Sequence, residues 1–127
     1  MDKFQEKKKR IPLVLSSFSS FFNEVYLVLK SPAFLLLTFM GNGIILVSSC
    51  LFYYFEKTSN PNIKIFLDAL WWGVATATTT GYGDITPVTI PGKILGICLM
   101  LVGLAFFGMF TALFAEAILT SNRKNRS

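Results

Sequence analysis

From Ala33 to Phe55 the chain is apolar almost without a break, with Thr38, Asn42, Ser48 and Ser49 as its clearly polar interruptions. A second block runs from Ile94 to Leu119 and is interrupted by Thr111 and Glu116. Both exceed the roughly 18 apolar residues that mark a transmembrane helix. At about 1.5 Å per residue each is long enough to cross a hydrocarbon core of about 30 Å. A shorter apolar stretch, from Ile63 or Lys64 through Thr78, reads as a helix too short to cross, one that re-enters the membrane from the outside. Upstream, Ile11, Leu15, Phe18, Phe22, Val25 and Leu29 recur at spacings of three and four, a helical period. Its basic start and apolar stripe predict a helix lying in the inner interface. Ser16, Ser17, Ser19, Ser20, Asn23 and Glu24 argue against a third crossing there.

Turn chemistry separates these elements. Ser31-Pro32 ends the interfacial helix and places proline near the first turn of the first span. Glu56 to Asn62 is polar and turn-rich. Thr86-Pro87 and Pro91-Gly92 return the chain to the surface, and Pro91 suits the first turn of the last helix. The expected organisation is a cytoplasmic N-terminal segment with the interfacial helix (1–32), an outer span (33–55), and an external loop with a short helix and a glycine-containing strand (56–93). An inner span (94–120) and a cytoplasmic tail (121–127) follow. The expected fold class is an all-α membrane protein.

Charge sets the orientation. Lys3, Lys7, Lys8, Lys9, Arg10 and Lys30 precede the first span, and Arg123, Lys124 and Arg126 follow the second. Only Lys57, Lys64 and Lys93 lie between. The positive-inside rule places both termini in the cytoplasm. Because the basic residues flank membrane helices, their expected partner is anionic lipid at the cytoplasmic face rather than nucleic acid. No cleavable signal peptide is evident. Cys50 and Cys98 fall inside the apolar helices and read as buried free thiols, not as a disulfide. The chain has no histidine, and no cluster of metal-ligand type stands out, which argues against an enzyme.

The short apolar stretch leads into Thr79-Thr80-Gly81-Tyr82-Gly83-Asp84. Glycine lets a backbone adopt dihedrals that other residues avoid. Between membrane segments, irregular backbone is tolerated only where it is buried or lines a water-filled path. The combination points to an ion pathway walled by main-chain oxygens. A tight turn between helices would account for the two glycines but not for the threonine run.

Ala69-Leu-Trp-Trp72 followed by Ala75-Thr-Ala-Thr-Thr-Thr-Gly-Tyr-Gly-Asp84 resembles the pore helix and selectivity filter of potassium channels, most nearly those of the simple bacterial two-helix type. The likeness covers about Ala33 to Thr120. It implies a four-fold homotetramer in the cell membrane that passes potassium passively and needs no cofactor. It further implies that the carbonyls of Thr79, Thr80, Gly81 and Tyr82, with the Thr79 hydroxyl, bind potassium ions, and that Gly83 completes the filter. Rings of carbonyl oxygen replace the water of the entering ion. Tyr82 is expected to pack against Trp71 or Trp72, and Asp84 either accepts a hydrogen bond from Trp71 or stands solvated at the outer mouth.

Two residues depart from the family pattern. Thr80 stands where valine or isoleucine is usual, so its hydroxyl is available for a bond behind the filter. Ala75 stands where some relatives carry a glutamate that pairs with the position of Asp84. In the inner span, Gly103 matches the hinge glycine of relatives, while Gly103 and Gly108 read equally as sites of close packing. Thr111, Glu116 and Leu119 are expected near the axis, with Phe107 or Leu119 narrowing the inner mouth. A ring of Glu116 would concentrate cations there; the alternative is a boundary residue paired with Arg123 or Lys124. No arginine-rich helix at three-residue spacing is seen, so voltage sensing by such a helix is not expected. Minimal channel and pore portion of a longer protein both fit the sequence.

Overall fold

The computed structural model describes the backbone of residues 22–124 and the side chains of residues 22–120. Residues 22–29 are helical (α1); the earlier part of the expected interfacial helix, 11–21, lies outside the described residues, as do 125–127. Three further helices follow: α2 (Pro32–Glu56), α3 (Phe66–Ala77) and α4 (Ile90–Lys124). No β-sheet pairing occurs among the described residues, so the glycine-containing strand Thr79–Asp84 is a single unpaired segment.

The break between α1 and α2 is built locally. The Ser31 hydroxyl accepts the Phe34 N–H at 3.2 Å, a side-chain N-cap, and Pro32 occupies the first helical position. α2 and α4 are each long and apolar enough to cross a membrane, over Pro32–Glu56 and Ile90–Thr120. Only 11% and 6% of their most apolar stretches are buried within the chain. Apolar helices left this bare do not form the core of a water-soluble domain; their exposed faces suit lipid or further protein.

The chain divides into two compact units. The unit Leu36–Phe110 carries α3, the glycine-containing strand and most of the buried side chains. Phe52, Ile63, Ala69, Trp72 and Leu99 form its core. Phe52 and Trp72 stack nearly parallel, with ring centroids 3.5 Å apart and planes 7° apart. At that spacing the rings lie almost face to face, so the pair contributes mainly through the apolar area it buries. In the other unit, Phe34 meets Phe114 edge to face at 6.1 Å.

α3 begins two or three residues later than the expected start at Ile63 or Lys64, because Asp68 holds the chain ahead of it. The Asp68 Oδ2 accepts the N–H groups of Lys64 and Ile65 at 2.8 and 2.9 Å. This is half of a capping box: isoleucine at the N-cap has no side-chain acceptor to return the bond. α4 starts at Ile90, ahead of its apolar block, and continues through Lys124.

Candidate functional site

At its C-terminal end α3 runs into the strand Thr79–Asp84. Thr78 N–H donates to Val74 O at 3.0 Å and Thr79 N–H to Thr76 O at 3.1 Å, closing the last turn. The next two N–H groups, of Thr80 and Gly81, converge on a single acceptor, the Ala75 carbonyl, at 2.9 and 3.1 Å. In a trans peptide the N–H and C=O point in opposite directions. Tying Thr80 N–H and Gly81 N–H back to α3 therefore turns the Thr79 and Thr80 carbonyls away from it.

The backbone handedness alternates along the strand. Thr79, Gly81 and Gly83 have φ of 61°, 52° and 80°, while Thr80 and Tyr82 are not left-handed. Alternation of this kind lets successive carbonyls face the same side. Glycine takes these angles freely. Thr79 does not: a β-branched residue at positive φ is an outlier and costs about 1–2 kcal/mol. The sequence does not signal this strain, since threonine is a common strand former; the position is held by its tie to Thr76.

Side chains brace the strand from outside. Trp71 stacks on Tyr82 with centroids 5.2 Å apart and planes 10° apart. Its Nε1 donates to Asp84 Oδ2 at 2.9 Å. Trp72 faces elsewhere, into the core against Phe52. Asn62 Nδ2 reaches the Asp84 carbonyl at 3.2 Å. The Thr80 hydroxyl lies 3.0 Å from the Thr78 hydroxyl, which is 2.8 Å from Val74 O. Ala75 contributes its carbonyl here, not a side-chain partner for Asp84.

Beyond the strand the structure reveals a residue that the sequence reading leaves in a loop. Glu56 is fully buried. Its Oε2 accepts the Val88 N–H and Asn60 Nδ2 at 2.9 and 2.8 Å, and its Oε1 accepts the Thr89 N–H and hydroxyl at 2.9 and 2.6 Å. Thr89 in turn caps α4, its Oγ1 accepting the Gly92 N–H at 3.1 Å. One carboxylate thus fastens the end of α2 to the start of α4, where the helix dipole favours negative charge. Asn60 Nδ2 also donates to Thr86 O at 2.8 Å, adding the return loop to the clasp. The only sequence signal is an acid immediately after an apolar run and a Thr-x-x-Gly start to the next helix; neither reveals that they meet.

The inner-span residues fall in both units. Gly103 packs against the end of α3: a Cβ placed there would collide with the backbone of Ala77, its carbonyl included. Gly108 has open space around it. Phe107 and Leu119 are exposed on the chain. Thr111, Glu116 and Leu119 belong to the second unit, where Thr111 and Glu116 are also exposed. The side chains of Arg123 and Lys124, suggested as partners for Glu116, lie outside the described ones. Among the described residues no group of His, Cys, Asp and Glu could hold a metal ion.

A family model described as an ion channel matches residues 33–120. The chain belongs to this ion-channel family, a family of channels and not of enzymes. It is 39% identical over 71 residues to the human potassium voltage-gated channel subfamily KQT member 4, covering 56% of this chain and 10% of that protein. It is 56% identical over 46 residues to a voltage-gated potassium channel of Aeropyrum pernix, covering 36% of this chain and 16% of the relative. A crystal structure of a voltage-gated K+ channel pore domain, closed and in lipid membranes, superposes with a TM-score of 0.56 at 39% identity. That match covers 63% of this chain and 88% of the other. The chain spans about a tenth of the length of the first curated relatives it matches. The architecture is accordingly that of a two-span pore unit with a re-entrant helix and filter strand.

Proposed function

We propose that this chain forms a potassium-selective pore, in which ions move passively down their gradient through a column of peptide oxygens. The observation that carries the reading is the alternation of positive φ at Thr79, Gly81 and Gly83 together with the two N–H groups gathered on Ala75 O. It orients carbonyls to one side, where they can replace the water of an ion. One chain supplies one such strand and cannot enclose an axis, so closed assembly is required. Four copies, as the potassium-channel relatives suggest, bring the carbonyls of Thr79, Thr80, Gly81 and Tyr82 and the Thr79 hydroxyl into rings, with Gly83 at the outer end. The permeant ion is the ligand, and no organic cofactor takes part.

The remaining site residues take supporting roles. Trp71, Asp84 and Tyr82 hold the strand outward through their stack and hydrogen bond. The C-terminal end of α3, carrying about half a negative charge, favours a cation below the filter. Leu104, Phe107, Thr111, Glu116 and Leu119 line or narrow the inner path, and Gly103 lets α4 bend. The protein resides in the cell membrane with both termini in the cytoplasm, where its basic residues meet anionic lipid. Reconstitution into liposomes with opposed potassium and sodium gradients tests the function. A reversal potential that follows potassium is expected; one indifferent to which ion carries the gradient would overturn selectivity, and absence of flux would overturn the channel reading.

A further inference from the structure

The strand carries a side-chain restraint made possible by threonine at residue 80. Thr78 Oγ1 lies 2.8 Å from Val74 O and 3.4 Å from Ala75 O. A hydroxyl has one proton, and the shorter contact takes it. Thr78 is then only an acceptor toward its neighbour, so in the 3.0 Å contact between the two hydroxyls Thr80 is the donor. The result is a directed relay from the Thr80 hydroxyl to the Thr78 hydroxyl to the Val74 carbonyl of α3. Thr80 is thus tied to α3 twice, by its N–H to Ala75 O and by its side chain. An aliphatic side chain of the same shape would keep only the first tie.

The consequence appears when ions are scarce. Carbonyl dipoles aligned on one side repel one another, and a bound cation offsets that repulsion. Without the cation, rotation of a peptide plane relieves it, and only the bonds behind the strand oppose rotation. We propose that the Thr80–Thr78–Val74 relay is a restraint that keeps the filter conductive when potassium is withdrawn, which makes Thr80 a positioning residue for permeation. The inference rests on the channel reading above.

The test measures how fast reconstituted channels lose conduction after potassium is replaced by an impermeant cation, and what fraction recovers on its return. Thr80→Val preserves shape and deletes the hydroxyl. Scaled to its own conduction in high potassium, it should lose conduction about fivefold faster on withdrawal, the factor matching one net hydrogen bond. Thr80→Ser, which keeps the donor, should restore the original rate; a merely space-filling role predicts the reverse order. Thr78→Val breaks the same relay and should accelerate the loss similarly, with little further change when combined with Thr80→Val. If Thr80→Val does not assemble, the Thr78→Val and Thr80→Ser rates decide alone. Rates equal to the original in Thr80→Val or Thr78→Val, or Thr80→Ser as fast as Thr80→Val, overturn the restraint while leaving the channel intact. An original chain that passes no potassium overturns both readings.

Discussion

Gly81 shows how little space has to do with its identity. A Cβ there meets nothing within 4 Å in the chain, yet its φ of 52° costs an L-residue about 1–2 kcal/mol. Gly81→Ala should therefore fold its helices normally and still fail to hold the strand. The expected outcome is at least a tenfold fall in potassium flux from liposomes, with helical circular dichroism unchanged. Thr79 carries comparable strain without glycine's freedom, at the junction where α3 ends. Strained backbone persists where surrounding bonds over-determine it, and the ties to Thr76 and Ala75 provide them.

Helix ends, more than helix middles, carry the particular chemistry of the elements. Glu56→Gln would set a donor amide among the N–H and O–H donors of Val88 and Thr89. It should destabilise the fold by about 1–3 kcal/mol, read as a lower thermal unfolding temperature in detergent. At the start of α3, the N–H groups of Ile65 and then Lys64 hold the Asp68 carboxyl below the usual carboxylate range. A pKa depressed on folding contributes stability that is present above the unfolded value of about 3.9 and is lost as pH falls through the lower folded value. The acid-unfolding profile of Asp68→Asn should be flatter than that of the original chain in that window. In α4 the two glycines should separate. Gly103→Ala drives a methyl into the Ala77 backbone and should reduce flux and stability by about 1–3 kcal/mol. Gly108→Ala meets open space and should gain up to about 1 kcal/mol from helix propensity. Thermal unfolding of the two variants side by side checks the contrast.

For the whole molecule, the largely bare α2 and α4 leave apolar faces for lipid or further protein to cover. Glu116, the charge inside the apolar block, belongs to this scale because its effect depends on assembly. If four copies ring the inner entrance, they raise the local cation concentration, and the effect weakens as salt screens it. Glu116→Gln should then lower single-channel current at low ionic strength and leave it nearly unchanged at high. Equal currents at both would assign Glu116 to the water boundary.

The sequence by itself determined the two spans, the short helix between them and the strand, because long apolar runs and glycine placement are properties of the chain read in order. Ala33–Phe55, Ile94–Leu119 and Thr79–Asp84 each announce themselves within one window. The choice of Trp71 over Trp72 as the partner of Tyr82 was not so legible, since adjacent residues on one helix differ only in which neighbour they turn toward. Nor was the burial of Glu56, whose partners Val88 and Thr89 lie more than thirty residues away. The close approach of Gly103 to Ala77 is likewise a tertiary fact, while the meeting of two N–H groups on Ala75 and the contact of the Thr80 and Thr78 hydroxyls are local in the chain and depend on the backbone angles the strand adopts. Periodicity and composition fix what each segment can be; hydrogen bonds and contacts between distant segments, which depend on geometry in three dimensions, decide which residues hold the filter in place.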